Sequence, residues 1–256
     1  MCAVLVILGC SGENVDELPL FSELGSDTPG WGGGGYDYSS SSFRSSGSLA
    51  LSSNSIARSD KGNSISSYRT VPIGTQTWMA ENLDYTVAGS KCYNNDPANC
   101  NEYGQLYNWA TAMNLPSSCN SSTCSGQIQS PHRGICPSGW HIPSNADWDK
   151  LYRYADGTSG TSSPYDSPTA GKYLKATSGW NNNGNGTDAH GFSALPGGYG
   201  YSDGSFGNVG DYGNWWSASE NSSYGAYYRY MYYDYDYAHW DNNYKDFLFS
   251  VRCVQD

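Results

Sequence analysis

The residues best suited to bind a ligand are concentrated near the C terminus, in residues 224–244, which read YGAYYRYMYYDYDYAHWDNNY. A strand directs alternate side chains to opposite faces and needs only one face for the core, so aromatic residues at both odd and even positions leave many of them outside it. Tyrosine offers a stiff apolar face and a hydroxyl, and aspartate and asparagine add hydrogen-bonding groups. The segment therefore predicts a surface that stacks on a sugar ring or anchors a protein partner.

The candidate ligand-binding residues are the polar and aromatic members of this segment. They are Tyr227, Tyr228, Tyr230, Tyr232, Tyr233, Asp234, Tyr235, Asp236, Tyr237, His239, Trp240, Asp241, Asn242 and Tyr244. The alternative interpretation is a tyrosine-rich sheet with a solvated outer face, because exposed aromatic side chains are common. The preceding Trp215 and Trp216, followed by the small residues of SAS, are interpreted as core.

Patterns typical of catalysis are weak in this sequence. GFSAL around Ser193 has Leu195 where the second glycine of a nucleophile elbow belongs, and neither HExxH nor a phosphate-binding loop occurs. Glu81, Glu102 and Glu220 are interpreted as structural carboxylates. We therefore expect no catalytic residues and no enzyme activity.

Metal-binding patterns are also incomplete. The sequence NNNGNG at residues 181–186 matches the first half of a calcium-binding EF-hand loop, but Phe192 at its twelfth position cannot ligate a cation. The histidines are scattered and no CxxC occurs, which argues against zinc. We expect no cofactor and assign no metal ligands; a structural calcium ion stays an open alternative.

Charge and cysteine content bear on partners and compartment. The net charge of −11, with only 13 basic residues, argues against nucleic acid, which needs clustered lysine and arginine. Eight cysteines with 23 tyrosines and 31 glycines suit an exported protein, in which disulfides persist.

The first ten residues have the features of a lipoprotein signal peptide. An apolar run, AVLVIL, precedes Gly9 and Cys10 and is too short to cross a bilayer. We expect lipidation at Cys10 and location at the outer membrane facing the exterior, with contact to the membrane only through this anchor. Residues 11–69 are rich in glycine and serine and predict a flexible, disordered tether, followed by one folded domain over residues 70–256.

Three structural elements can be assigned in this domain. VPIGTQTWMAENLDY predicts two strands joined by a turn at Gly74, with Val71, Ile73, Trp78 and Leu83 as core candidates. Residues 103–113 have helical spacing, and a second helix is predicted over residues 147–155. Ser144 or Asn145 is the expected N-cap of the second helix.

Several strings in residues 71–256 resemble the Fibrobacter succinogenes major paralogous domain, a family of exported bacterial proteins. They are WMAENLDY, CYNNDPANCNEYGQLYNWATAM, CPSGWHIPS, LKATSGW, GFSALPGGY, DGSFGNVG, WWSAS and FSVRCV. The resemblance implies an α+β, C-type-lectin-like fold, with two helices around a small looped antiparallel sheet. It implies surface adhesion or ligand binding more than any chemistry, because a fold does not fix a function.

Six cysteines follow Cys10, and we expect all of them to form disulfides. Cys92 with Cys100, and Cys119 with Cys124, each bracket a short turn-rich loop. Cys136 with Cys253 corresponds to the long-range disulfide that the lectin-like resemblance implies.

The leading functional hypothesis is a lipid-anchored surface module that binds an extracellular glycan or protein without catalysis. The alternative is a structural envelope or slime-matrix protein that acts by self-association. A third hypothesis is an enzyme, because the formylglycine-generating enzymes share the lectin-like fold and use a reactive cysteine pair.

Overall fold

The computed structural model describes residues 61–158 and 166–256, and these form a mixed α+β structure. The predicted signal peptide with Cys10, and the predicted tether as far as residue 60, lie outside the described residues. Residues 61–69, the end of the predicted tether, include Tyr68, which is buried in a core cluster and donates a hydrogen bond to the carbonyl of Gly62 (2.8 Å). Packing therefore begins before the boundary expected at Thr70.

Short strands and helices alternate with loops throughout the described residues. The strands are β1 (Thr70–Ile73), β2 (Gln76–Met79), β3 (Trp140–His141), β4 (Gly197–Gly200), β5 (Phe206–Val209), β6 (Tyr212–Glu220), β7 (Gly225–Tyr232), β8 (His239–Tyr244) and β9 (Val254–Gln255). The α-helices are α1 (Pro97–Tyr103), α2 (Trp109–Ala112), α3 (Asn145–Ala155) and α4 (Ala170–Leu174). Single 3₁₀ turns cover Ile65–Ser67, Tyr93–Asn95, Ser117–Asn120, Ser125–Gln127 and Asn181–Asn183.

The strands form two sheets, in the orders β1-β2-β9-β3 and β5-β4-β6-β7-β8. The described residues thus differ in detail from the predicted two helices around one antiparallel sheet: they have four short helices and a second sheet, in which β4 and β6 are parallel. None of the described helices has the length and apolar character needed to cross a membrane. The α+β class predicted from the sequence is confirmed.

The hairpin predicted around Gly74 is confirmed. β1 and β2 pair in antiparallel register, with Ile73 opposite Gln76, and Gly74 adopts a φ of +61° that suits glycine in a tight turn. Strand β9 then inserts between β2 and β3, pairing with Trp78 and His141 through Val254. The last strand therefore closes the sheet that the first strands begin.

The helix predicted over residues 103–113 is wrong. α1 ends at Tyr103 and is followed by Gly104, which has a φ of +75°. The chain then runs extended, with Leu106 bridged to Lys91 and Tyr107 bridged to Phe249. A new helix, α2, starts only after Asn108, whose side chain accepts a hydrogen bond from the Thr111 amide (2.8 Å). The left-handed conformation at Gly104 breaks the helix, and tertiary pairing outweighs the helical spacing.

The second predicted helix is confirmed as α3, and it begins two residues earlier than expected. Ser144 is the N-cap, and its side chain and that of Asp147 form reciprocal bonds with each other's backbone amides in a capping box. Such a cap satisfies amides that would otherwise lack partners, and the carboxylate of Asp147 also favours the helix dipole. This side of the helix then buries Trp148, Leu151 and Tyr152.

The core of the described residues has two main clusters, both rich in tryptophan. One contains Trp109, Trp140 and Trp216, and the other contains Trp78, Trp148, Trp180 and Trp215. The interpretation of Trp215 and Trp216 as core is confirmed, since both are fully buried. Ile73, Trp78 and Leu83 are also buried, whereas Val71 is only partly covered.

Three disulfides brace the described residues, with the predicted pairing. Cys92 is bonded to Cys100, Cys119 to Cys124, and Cys136 to Cys253. The first two close short loops, and the third links positions 117 residues apart. The long-range bond fastens the segment before β3 to the start of β9, beside the first sheet.

Candidate ligand-binding site

Strand β7 separates its side chains between two faces. Arg229 and Met231 are directed into the protein, with 2% and 0% of their surfaces exposed, and Arg229 contacts Asp149 of α3 (3.1 Å). Tyr228, Tyr230 and Tyr232 alternate with them and are half-buried. These three tyrosines therefore share the opposite face of the sheet.

Neighbouring strands extend this face with further rings. Tyr212 of β6 lies opposite Tyr232, while Asn214 of β6 and His239 of β8 flank Tyr230 on its two sides. The ring centroids of Tyr212 and Tyr232 are 4.5 Å apart, and those of Tyr230 and His239 are 4.9 Å apart in a stacked arrangement. Cross-strand contacts of this kind stabilise a sheet and fix the directions of the rings.

The turn between β7 and β8, residues 233–238, adds two exposed rings, and we call it the tyrosine turn. Tyr235 is 51% exposed and lies 5.4 Å from Tyr232 between ring centroids. Tyr237 is 43% exposed and stacks on His239 at 5.3 Å. We refer to the whole set as the aromatic face. It comprises Tyr212, Tyr228, Tyr230, Tyr232, Tyr235, Tyr237 and His239.

The other predicted site residues lie around this face or behind it. Asp241 shares the face, since it is opposite Tyr228. Asp234 and Asp236 are exposed in the tyrosine turn, whereas Tyr233 packs against a core cluster. The predicted surface is therefore not one continuous patch.

Four predicted residues lie on the reverse side of the same strands. Tyr227 pairs with Asn242, and its ring lies 5.3 Å from that of Trp240. Tyr244, at the end of β8, is 64% exposed. Because strand residues alternate, this group cannot contact a small ligand held on the aromatic face.

The scaffold holds the tyrosine turn from behind through a buried lysine. The ammonium of Lys175 donates hydrogen bonds to the carbonyl oxygens of Tyr232 (3.2 Å), Tyr233 (3.2 Å) and Tyr235 (2.9 Å). Burial lowers the pKa of Lys175, and the charges of Asp236 and Asp234 partly oppose that effect. Charge-assisted bonds to three carbonyls fix the backbone that carries the exposed rings.

Two glycines allow the scaffold to approach the same turn closely. A Cβ at Gly171 would overlap the backbone of Asp236 and Tyr237, and a Cβ at Gly184 would overlap the backbone of Tyr233. Gly184 belongs to the NNNGNG sequence considered for calcium. In that loop the Asn181 amide donates to Asp211 (2.9 Å), and Asn185 accepts from the Trp180 amide (3.0 Å), so these amides have structural partners.

Substituting Gly184 tests whether this close packing fixes the turn. We expect Gly184→Ala to cost about 1–3 kcal/mol, because the added methyl group meets backbone and not a flexible side chain. Gly126→Ala is the matched control, since nothing lies within 4 Å of a Cβ at Gly126. Urea denaturation measures both changes; equal stability of the two variants would contradict the close packing.

Three phenols of the aromatic face, those of Tyr212, Tyr228 and Tyr230, have a raised pKa. Burial, with the nearby charge of Asp241, raises the pKa of both Tyr228 and Tyr230. Burial also raises the pKa of Tyr212. These hydroxyls therefore remain neutral donors and acceptors of hydrogen bonds at and above neutral pH.

A separate cleft of about 880 Å³ is lined by residues of other segments, among them His141, Asp147 and Glu220. His141 Nδ1 bonds to Asp256 (2.7 Å), and Nε2 lies 3.4 Å from Asp147. Glu220 forms a 2.6 Å ion pair with Lys245. Because these groups have partners within the protein, the cleft offers a ligand fewer polar groups to bind than its volume suggests.

The contacts of His141 with Asp147 and Asp256 make the free energy of unfolding depend on pH. Burial disfavours the charged ring, but hydrogen bonds and charges from Asp147 and Asp256 outweigh it and raise the pKa above 6.5. Burial also opposes ionisation of Asp147, yet His141 and Ser144 hold its pKa far below 3.8. A raised histidine pKa stabilises the fold fully below pH 6.5, and a lowered aspartate pKa stabilises it fully above pH 3.8.

The stabilisation by His141 is therefore expected to be complete between those two values. We expect the difference in unfolding free energy between wild type and His141→Gln to be largest there and to shrink as the pH rises through the raised histidine pKa. Urea denaturation at a series of pH values measures it. A difference that grows from pH 6 to pH 8 would contradict the assignment.

The histidines and carboxylates of the described residues do not gather into a metal site. In residues 61–158 and 166–256, no group of three or more His, Cys, Asp or Glu side chains is placed to hold a metal ion. Glu81 instead pairs with Lys61 (2.5 Å), and Glu102 hydrogen-bonds to Tyr103.

Some residues of the aromatic face and its edge were not identified from the sequence. Tyr199, Asn208, Tyr212, Asn214, Asn243 and Phe247 line a crevice beside Tyr228 and Tyr230. Tyr212 and Asn214 are two residues apart in the DYGNWW string, so in a strand they would lie on the same face. This spacing is the only feature of the sequence that could have identified them. The other lining residues come from β4, β5, β8 and the segment after β8, and sequence spacing alone does not relate those regions.

Comparison with known proteins identifies the family of the chain. The fold and its three described disulfides define a disulfide-braced α+β domain. Residues 71–255 match the Fibrobacter succinogenes major domain. The chain belongs to this family, as the resemblance predicted. A search of curated proteins and a search of solved structures each found no match.

Proposed function

We propose that this chain is a surface module that binds an extracellular glycan or protein through the aromatic face, without catalysis. A lipid at Cys10 anchors it to the outer membrane, facing the exterior. The observation that carries the proposal is the contrast between the two sides of β7: Arg229 and Met231 are buried, while Tyr230 and Tyr232, which alternate with them, are only half-buried and belong to no core cluster. Aromatic rings gathered on one partly exposed face, beyond those that the core needs, are typical of an interaction site.

Rigidity of the face supports a binding role. Lys175 and the close approach of Gly171 and Gly184 hold the tyrosine turn in one conformation. A preordered surface loses little conformational entropy when a ligand binds, so more of the contact energy contributes to affinity. Tyrosine suits such a surface because it presents both an apolar ring and a hydroxyl.

The proposal includes a C-type-lectin-like architecture. It is supported by the pairing of β9 with both β2 and β3, which brings the two ends of the family domain together. The long-range disulfide between Cys136 and Cys253 fastens the same region. The loops and the second sheet are then free to carry the ligand-binding residues.

The runner-up is a structural envelope or slime-matrix protein in which the aromatic face contacts a second copy. Enzyme activity of the formylglycine-generating type ranks third. The cysteines of the described residues are all joined in disulfides, so they supply no free thiol pair for that chemistry.

Glycan-array and cellulose-retention measurements, combined with sedimentation velocity, distinguish the first two functions. We expect the purified wild-type protein to be retained by a defined subset of glycans and to sediment as a monomer at micromolar concentration. Self-association at that concentration with no saccharide retained would favour the structural role. An unchanged monomer that binds neither glycan nor protein would contradict both.

A further inference from the structure

A crevice of about 260 Å³ opens at one edge of the aromatic face, which supplies three of its lining residues. Its walls include Tyr199 of β4, Tyr212 of β6, Tyr228 and Tyr230 of β7, and Phe247. Pockets that enclose a whole drug-sized ligand measure roughly 300–1,000 Å³, so this crevice suits one ring-sized group of a longer ligand.

The buried amide of Asn214 distinguishes this crevice from an ordinary surface groove. Asn214 lines the crevice, yet only 4% of its surface is exposed. Its side-chain nitrogen is buried and has no hydrogen-bond partner among the described residues. An unsatisfied buried donor costs about 1–3 kcal/mol, and native structures contain few of them.

The neighbouring residues determine which ligand chemistry would satisfy this donor. None of the described residues that line the crevice carries a charge at neutral pH. The hydroxyl of Tyr199 accepts from the Asn208 amide (2.7 Å) and lies 3.1 Å from the hydroxyl of Tyr201. Aromatic walls match the C–H face of a sugar ring, while the amide and the phenols match its oxygens.

The sign of the protein's charge excludes a strongly anionic ligand. The chain carries a net charge of −11, and Asp241 lies opposite Tyr228, which is one of the residues that line the crevice. No cationic side chain lines the crevice among the described residues. A carboxylated or sulfated sugar would therefore enter against repulsion and find no compensating ion pair.

We propose that this crevice is the primary subsite for a single neutral sugar residue, whose oxygen accepts a hydrogen bond from the Asn214 amide while its ring packs against Tyr212 and Tyr230. The inference rests on the proposed binding function and specifies its ligand class. The remainder of the glycan extends over the aromatic face.

Replacing Asn214 by leucine separates a ligand-binding role from a structural one. In the free protein, Asn214→Leu removes an unsatisfied donor and keeps a similar volume, so we expect an unchanged or higher melting temperature. Asn82→Leu is the matched control. Its amide donates to the Tyr103 carbonyl (2.8 Å) and its oxygen accepts from Arg252 (2.7 Å), so this variant is expected to melt at a lower temperature.

NMR titration measures binding with defined probes. These are methyl β-glucoside, methyl β-galactoside, methyl α-mannoside and N-acetylglucosamine, with methyl β-glucuronide as the anionic comparison. We expect at least one neutral probe to bind the wild-type protein, binding by Asn214→Leu to be about five- to tenfold weaker, and the glucuronide not to bind. The same probe should shift the side-chain amide resonance of Asn214 in the wild-type protein, a readout that does not depend on the variant.

Two results would overturn the inference. One is equal binding of the neutral probe by wild type and Asn214→Leu, with an unshifted Asn214 amide. If glycans are nevertheless retained on the array, the proposed function stands and only the subsite is wrong. The other is the absence of binding by every neutral probe, which overturns the subsite, and the absence of all glycan retention then also removes the glycan-binding function.

Discussion

Replacing both Cys136 and Cys253 by alanine is expected to lower the free energy of unfolding by about 5 kcal/mol, according to the entropy of closing a loop of that length. The disulfide joins residues 117 positions apart and holds β9 in the centre of the first sheet. The unfolded chain gains much freedom when this link is absent, and a domain with many irregular loops has little stability to spare. Urea denaturation under non-reducing conditions measures the loss.

The disulfide between Cys119 and Cys124 is the matched control for that prediction. It also lies in the core, but it closes a loop only five residues long. Replacing both of its cysteines by alanine is expected to cost about 2 kcal/mol. Similar losses for the two pairs would show that loop length does not determine the stabilisation.

Replacement of Lys245 by methionine is expected to lower the free energy of unfolding by about 3–5 kcal/mol, because it leaves a buried carboxylate without its partner. Lys245 is fully buried and forms a 2.6 Å ion pair with Glu220, whose side chain is 6% exposed. The ammonium also donates to the carbonyls of Cys119 (3.0 Å) and Ser223 (3.1 Å) and lies 4.7 Å from the Trp109 ring. Thermal and urea unfolding both report the change.

A double-mutant cycle separates the ion pair from these other contacts. Adding Glu220→Gln to Lys245→Met should recover part of the lost stability, since the unpaired charge is removed. The partly exposed pair between Lys61 and Glu81, whose side chains are 36% and 20% exposed, provides the comparison, and Lys61→Met should cost less than about 1 kcal/mol. If the two lysine substitutions are equally costly, burial is not the reason for the effect.

Local signals explain what could be predicted of the fold. The turn of the first hairpin is specified by Gly74. The start of α3 is specified by Ser144 and by Asp147 three residues later. The disulfide pairing followed from two short loops and from the family resemblance. In these places local preference and tertiary structure agree.

Tertiary contacts explain what could not be predicted. Leu106, Trp109, Ala110 and Met113 are spaced as in a helix and are all buried. Leu106 is nevertheless part of an extended segment, because Gly104 ends α1 and Lys91 pairs with Leu106. Burial at helical spacing can arise from two different elements, and the sequence does not distinguish that case from one continuous helix.

The same limit applies to the candidate site. The alternation of side chains along β7 predicts that some tyrosines lie outside the core, but it does not predict whether these are at the odd-numbered or the even-numbered positions. The contact between Arg229 and Asp149 of α3 directs the side chain of Arg229 into the protein. The tyrosines at even-numbered positions of β7 therefore lie on the opposite face. Asn214 joins the site through the pairing of β6 with β7, and Tyr199 joins it through the pairing of β4 with β6, which no local pattern encodes.

The most direct test of the account compares glycan retention by wild type, Tyr230→Ala and Tyr154→Ala on one array. Tyr230 is at the centre of the aromatic face, whereas Tyr154 is 53% exposed on α3 and lies beside His190. We predict that Tyr230→Ala reduces retention more than about tenfold, as expected for a central aromatic anchor, and that Tyr154→Ala leaves it unchanged. Equal retention by all three proteins would contradict a binding role for the aromatic face.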